Sequence, residues 1–222
     1  MKASTRPRLK ICCISSVEEA ELAIAYGADA LGLVSEMPSG PGVIAESLIE
    51  RIVASVPPLV GTFLLTSRRD AGAIIAQQKR AGVDTLQLVD RVEPGCYSAL
   101  RAALPGVRLV QVIHVTGPES LEEAAALALE VDALLLDSGN PAAAVKELGG
   151  TGRVHDWTLS ARIREVVAKP VFLAGGLNSE NLREAFAEVR PFAFDVCSGV
   201  RTAGRLDQRK LAAFSATLRS LV

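Results

Sequence analysis

Short runs of Val, Ile and Leu alternate along this chain with longer stretches in which apolar residues recur every three or four positions. The short runs are Leu9–Ile14, Ala30–Val34, Leu59–Leu65, Thr85–Leu88, Val107–Val115, Ala133–Leu136, Pro170–Ala174 and Phe192–Val196. Near-continuous apolar character over so few residues predicts strands buried on both faces, as in a parallel sheet. Between them the period is helical. Leu48, Ile49, Ile52, Val53 and Val56 share one stripe, Leu182, Ala185, Phe186 and Val189 another, and Leu211, Phe214, Leu218 and Leu221 a third. The alternation yields eight strand-then-helix units of roughly 28 residues each over 222 residues. Eight units favour an α/β fold closed into an eight-stranded parallel (β/α)8 TIM barrel over a doubly wound open sheet.

Two Gly-x-Asp elements, Gly27-Ala28-Asp29 and Gly82-Val83-Asp84, are placed to end one helix and open the next strand, with glycine in the left-handed conformation that closes a helix. Linkers, charge blocks and low-complexity segments are absent from the sequence, so residues 1–222 are expected to form a single domain.

Composition narrows the function. Apolar residues make up 49% of the chain, enough for an extensive core, and 24 Lys+Arg against 25 Asp+Glu leave a net charge of −1. That balance argues against a nucleic-acid partner. No apolar run is long enough to span a bilayer. The basic start, Met1 to Lys10, leads into no long apolar stretch, so a secretory signal is not expected. Four cysteines, Cys12 and Cys13 adjacent, match neither a disulfide framework nor a zinc site. A soluble cytoplasmic protein of a reducing compartment follows, without a membrane partner and with its oligomeric state open.

In a barrel, functional residues gather where strands end and loops begin on the C-terminal face. Along Lys10-Ile11-Cys12-Cys13-Ile14, alternation puts Cys12 with Lys10 facing inward and Cys13 with Ile11 facing a helix. Cys12 is either a thiolate general base or a small buried apolar residue, and spacing alone favours the second. Asp137 closes the apolar run of the sixth strand and reads equally as a general acid or as a loop-fixing cap. Glycine turns after the last two strands, at Gly175-Gly176 and Ser198-Gly199, fit the usual phosphate site of such barrels. The segment Gly149-Gly150-Thr151-Gly152, leading to Trp157, predicts a loop over the mouth with an aromatic anchor at a helix start. The motifs of zinc hydrolases, serine hydrolases and nucleoside triphosphatases are all missing.

Taken together these residues resemble the phosphoribosylanthranilate isomerase family of tryptophan biosynthesis. The resemblance runs through Lys10-Ile11-Cys12, Gly27-Ala28-Asp29-Ala30-Leu31-Gly32, Gln87-Leu88, Leu136-Asp137-Ser138, the glycine loop and Asp156-Trp157. Most specific are Leu173 to Asn181, Val189-Arg190-Pro191 and Asp195 to Val200. The resemblance implies an Amadori rearrangement of N-(5′-phosphoribosyl)anthranilate to 1-(2-carboxyphenylamino)-1-deoxyribulose 5-phosphate, needing no metal or cofactor. It makes Asp137 the acid on the ribose ring oxygen and Cys12 the base at C2′. Gly175, Gly176, Ser198 and Gly199 would hold the 5′-phosphate, with Gln87 and Asp195 as further substrate contacts.

The chain departs from the family at five places. Gly42 stands where the family has the arginine that meets the anthranilate carboxylate, Val89 where it has histidine, and Cys13 where it has glycine. His114 replaces an arginine and Arg201 a glutamate. Arg91, just past the fourth strand, and His114 are the candidate replacements for the lost cation. Two alternatives stand beside the isomerase: a barrel acting on another phosphosugar, and a non-catalytic phosphometabolite-binding paralogue.

Overall fold

The computed structural model describes residues 6–140, 143, 145–150 and 152–221. The first five residues of the basic start, and Thr151 of the glycine loop, lie outside these. Eight parallel strands, β1 (Arg8–Ile11), β2 (Ala30–Val34), β3 (Gly61–Thr66), β4 (Thr85–Leu88), β5 (Arg108–His114), β6 (Ala133–Asp137), β7 (Val171–Leu173) and β8 (Ala193–Val196), form a closed barrel in sequence order. The helices between them are α1 (Val17–Ala25), α2 (Glu46–Ser55), α3 (Ala71–Ala81), α4 (Cys96–Ala103), α5 (Glu119–Leu127), α6 (Trp157–Val166) and α7 (Leu182–Val189), with α8 (Gln208–Arg219) last. Closure is made where Arg8–Ile11 pairs in register with Ala193–Val196. The (β/α)8 architecture expected from the alternation is therefore the observed one.

Alternation along each strand separates two cores. Residues facing outward, such as Leu31, Leu64, Leu86, Leu134 and Phe194, meet the helix stripes through Ile49, Ile52, Leu182, Ala185, Leu211 and Phe214. Residues facing inward fill the barrel, where small side chains, Ala30, Ala133 and Ala193, leave room for Phe63 and Phe172. Those two rings meet edge to face with centroids 5.8 Å apart, a favoured aromatic geometry.

The Gly-x-Asp elements have a shared role. Gly27 and Gly82 take positive φ at the helix ends. Each aspartate that follows turns back onto the preceding neighbour strand: Asp29 accepts from the Leu9 amide and Asp84 from the Thr62 amide, both at 2.8 Å. Asp132, without the glycine, accepts from the Leu109 amide at the same distance. These carboxylates satisfy amides at strand starts, on the face opposite the site.

Two details differ from the sequence reading. The first strand ends at Ile11 rather than Ile14, because Cys13 adopts φ 61°. That left-handed residue breaks the side-chain alternation, so Cys13 faces the barrel mouth and not a helix. A short antiparallel pair, β9 (Arg201–Thr202) and β10 (Arg205–Leu206), also follows the eighth strand. Ala203 and Gly204 between them both have positive φ, as a two-residue hairpin turn requires.

Candidate active site

At the C-terminal ends of the strands lies a cavity of about 680 Å³, counting the solvent at its mouth. Cys12, Asp137, Gln87, Asp195, both residues of the Gly175-Gly176 turn and Ser198 line it. Strand topology thus unites residues that are up to 186 positions apart in the chain, as Cys12 and Ser198 are.

Cys12 follows β1 directly and is buried. Its amide donates to the Val196 carbonyl at 2.9 Å, while its own carbonyl accepts from Arg201 Nη2 at 3.2 Å. The same nitrogen donates to the Cys13 carbonyl at 2.5 Å. Arg201 is itself clamped by Glu19, through Nη1 at 2.9 Å and 3.1 Å. Burial works against the Glu19 charge, but hydrogen bonds from Arg201 and the Leu206 amide hold its carboxyl below the ordinary 4.5. Space for the thiol comes from Gly32 on β2. A Cβ there would stand 2.9 Å from Cys12 Sγ and 3.0 Å from Lys10 Nζ.

Asp137 is the last residue of β6. Its Oδ1 accepts from the Ser138 amide at 2.7 Å. Its Oδ2 points at the glycine loop, 2.6 Å from where a Cβ on Gly149 would be. Only a backbone without side chains can close over the carboxylate this tightly.

Beneath these residues Lys10 Nζ donates to Asp195 Oδ2 at 2.8 Å, and both residues are buried. Burial disfavours the Lys10 cation, but Asp195 and the thiols of Cys12 and Cys13 outweigh it and hold the ammonium above its ordinary 10.5. The ammonium also lies 5.2 Å from the Phe63 ring centroid, within cation–π range. Asp195 Oδ1 and Gln87 Oε1 are buried with no hydrogen-bond partner among the described residues. Both residues line the cavity, so a ligand can supply the missing donors.

The two glycine turns behave differently. Gly175 and Gly176 have φ of 81° and 62°, and the turn is braced by Asn181 Nδ2, which donates to the Gly176 carbonyl at 3.0 Å. Ser198 opens a single 3-10 turn, Ser198–Val200, and lines the cavity. Gly199 does not line it; a Cβ there would overlap the Leu177 carbonyl. Its lack of a side chain lets the two turns stack.

The structure does not bring Arg91 to the cavity. β4 ends at Leu88, and the Arg91 guanidinium extends outward to Glu123 on the helix layer, 2.9 Å away, with the side chain 73% exposed. His114 also lies outside the lining, its Nε2 bonded to the Val89 carbonyl oxygen at 3.0 Å. Among the described residues no side chain lining the cavity carries a positive charge. The Gly42 position is closed as well: with φ 82°, its Cβ would lie 2.5 Å from Cys13 Cβ.

Sequence reasoning missed three features: the Arg201 clamp, the clearance at Gly32, and the contact of Cys13 with Cys197, whose sulfurs are 2.8 Å apart. The unusual charge of Arg201 after the last glycine turn was the one available signal. Cys197 lies beyond the interior strand, so no alternation rule ties it to Cys13.

Fold and cavity together define a (β/α)8-barrel protein with a small-molecule site at its C-terminal mouth. The chain belongs to the N-(5′-phosphoribosyl)anthranilate isomerase family, whose model matches residues 9–217. It is 35% identical over 209 residues to N-(5′-phosphoribosyl)anthranilate isomerase 2 of Methanosarcina mazei, covering 93% of this chain and 92% of the relative. It is 36% identical over 213 residues to the isomerase of Acidithiobacillus ferrooxidans, covering 96% and 97%. Phosphoribosyl anthranilate isomerase from Thermus thermophilus superposes with TM-score 0.82 at 30% identity, covering 97% of this chain and 100% of that structure. An isomerase structure in complex with reduced 1-(o-carboxyphenylamino)-1-deoxyribulose 5-phosphate gives TM-score 0.78 at 27% identity, covering 96% and 99%. No described helix is long and apolar enough to cross a membrane.

Proposed function

We propose that the chain isomerises N-(5′-phosphoribosyl)anthranilate to 1-(2-carboxyphenylamino)-1-deoxyribulose 5-phosphate, acting in the cytoplasm as one domain over residues 1–222 and without metal or cofactor. The observation that carries this reading is the placement of Cys12 and Asp137 in one cavity, from strands three steps apart around the barrel. Asp137 donates a proton to the ribose ring oxygen as the C1′–O bond breaks, and the anilino nitrogen supplies the electron pair that forms the iminium. Cys12, as thiolate, removes the C2′ proton; that electron pair becomes the C1′–C2′ double bond and neutralises the iminium. The resulting enol returns a proton to C1′ and becomes the ketone, so the reaction is an isomerisation with atoms unchanged.

Asp195 Oδ1 and Gln87 Oε1 accept from ribose hydroxyls in this reading, each bond contributing about 0.5–1.5 kcal/mol. The amides of Gly175 and Gly176 with Ser198 Oγ hold the 5′-phosphate, while Gly199, which does not line the cavity, lets the two turns stack. The aromatic ring packs on Met37, Leu65, Val89 and Leu148, which line the cavity.

A second reading, a phosphosugar with a different aglycone, is favoured by one observation: the lining offers the anthranilate carboxylate no cation. The two are separated by assaying purified protein on phosphoribosylanthranilate generated in situ, following fluorescence decay above the spontaneous rate. The first reading expects turnover that Cys12→Ala and Asp137→Ala each abolish while phosphosugar binding survives. A folded, phosphosugar-binding protein with no turnover of this substrate sinks it in favour of the second.

A further inference from the structure

Cys13 and Cys197 meet across the closure seam of the barrel, at the ends of β1 and β8, with sulfurs 2.8 Å apart. Both line the cavity, Cys13 buried and Cys197 half-buried, so a small molecule entering the mouth meets Cys197 first. Their protonation is unequal. The Cys13 thiol is pushed well above the ordinary 9.0 by hydrogen bonding to Cys12 and Cys197 and by burial. Cys197 is drawn below it by the Cys13 hydrogen bond, with burial opposing and the Arg201 guanidinium assisting. The two shifts run in opposite directions, and the lowered one is that of Cys197. A lowered thiol in reach of a cation is what makes a cysteine reactive.

Geometry also selects the pair. Adjacent Cys12 and Cys13 have Cα atoms about 3.8 Å apart, inside the lower limit of about 4.4 Å for bridged cysteines. Cys96 is buried on α4, in the helix-facing core. Of the four thiols, only Cys13 and Cys197 stand on separate segments with their sulfurs already in contact.

We propose that Cys13 and Cys197 are a thiol–disulfide modification site within the cavity, taking a low-molecular-weight disulfide as oxidant and stopping turnover when cross-linked. The Cys197 thiolate attacks one sulfur of the small disulfide, forming a mixed disulfide and releasing one small thiolate. Cys13 then loses its proton to that thiolate and attacks the Cys197 sulfur, forming the Cys13–Cys197 bond and releasing the second small thiolate. Each protein sulfur is oxidised by one electron, and the small disulfide is reduced by two. Cys12 immediately precedes Cys13, and Ser198 immediately follows Cys197. The cross-link thus draws the thiol base and the phosphate turn together, and displacements on the ångström scale cost about 10²-fold in rate. The loss of turnover rests on the function proposed above; the cross-link does not.

The test treats fully reduced protein with oxidised glutathione and follows intact mass, disulfide-linked peptides and turnover. The expected product has lost two hydrogens, links the peptides of Cys13 and Cys197, turns over about 10²-fold more slowly, and recovers with dithiothreitol. Cys13→Ser is expected to hold a glutathione adduct on Cys197 without a cross-link. Cys197→Ser is expected to gain no cross-link and to keep its own reduced-state turnover after treatment. Absence of the Cys13–Cys197 peptide in oxidised wild-type protein overturns the site, as does an adduct on Cys12 that accounts for inactivation. Cross-linked protein with undiminished turnover overturns the gating. Peptide mapping decides the site even where the reduced protein turns over a different substrate.

Discussion

Cys13 Cβ stands 2.5 Å from the point a Cβ on Gly42 would occupy, so with this backbone only one of the two positions carries a side chain. The family has the opposite arrangement, glycine at the first and arginine at the second. The two departures are therefore one exchange: the cysteine fills the space from which the arginine would extend. Gly42→Arg alone must overcome both the overlap and φ 82°, and overpacking of this kind costs about 1–3 kcal/mol. Adding Cys13→Gly removes the contacts with Cβ and Sγ, leaving the Cα at 3.0 Å and φ 82°. The double variant is expected to recover part of the lost stability and, by restoring a charge-assisted partner for the carboxylate worth about 1.5–3 kcal/mol, to lower KM by roughly 10- to 150-fold. Urea unfolding and steady-state kinetics on the four proteins of the cycle check this. Additive effects would mean that the positions are independent.

The Lys10–Asp195 pair predicts another non-additive result. Asp195→Ala leaves a buried ammonium without its carboxylate, which typically costs about 3–5 kcal/mol. Lys10→Met with Asp195→Leu removes both charges and is expected to restore most of that loss while remaining inactive, since the substrate contact proposed for Asp195 Oδ1 is lost. Urea midpoints measure the stability. A double variant no more stable than Asp195→Ala would refute the argument.

The barrel was legible because burial on both faces writes each strand as an apolar run and burial on one face writes each helix as a stripe. Leu64 and Leu134 face the helices, Phe63 and Leu135 the interior, and both faces are apolar. Cys12 and Asp137 were legible as mouth residues because each sits at or just beyond the C-terminal end of a strand, though that position left their chemistry open; Gln87 and Asp195 were named only through the family resemblance. Cys13 was misplaced because alternation holds only while φ stays negative, and its φ of 61° ends the rule one residue past Cys12. Arg91 was misplaced for a related reason: past Leu88 the chain has left the strand, and proximity in sequence no longer fixes direction. The Arg201–Glu19 clamp joins positions 182 apart, which no local pattern encodes.

That clamp also sets an acid dependence. The Glu19 carboxyl is held below the ordinary 4.5 in the folded protein, so folding favours its ionised form. Its contribution is fully present above the unfolded pKa and is lost as pH falls from about 4.5 through the folded value. Glu19→Gln is expected to be less stable than wild type at neutral pH, by roughly 3 kcal/mol where a buried charge partner is lost, and to approach it in acid. Denaturation at a series of pH values measures the difference. A gap that widens in acid would have the wrong sign.

Gly32 offers the sharpest separation of catalysis from folding. Its φ is ordinary, so alanine there meets no backbone penalty; the obstacle is the Cys12 thiol at 2.9 Å, the Lys10 ammonium at 3.0 Å and the Cys12 Cα at 3.1 Å. The Lys10 tip can move aside, whereas the Cys12 backbone is held by Val196 and Arg201. The added methyl therefore turns the thiol away from the substrate rather than unfolding the barrel. Gly32→Ala is expected to lower kcat by about 10²-fold, the usual cost of a misplaced catalytic group. KM should stay nearly constant, because the turns proposed to hold the phosphate follow β7 and β8, away from Gly32 on β2. Because Cys12→Ala removes turnover, the control is read in binding and stability: adding Gly32→Ala to it should change neither phosphosugar affinity nor the urea midpoint. A change in either would show that Gly32 serves something other than the room required by Cys12.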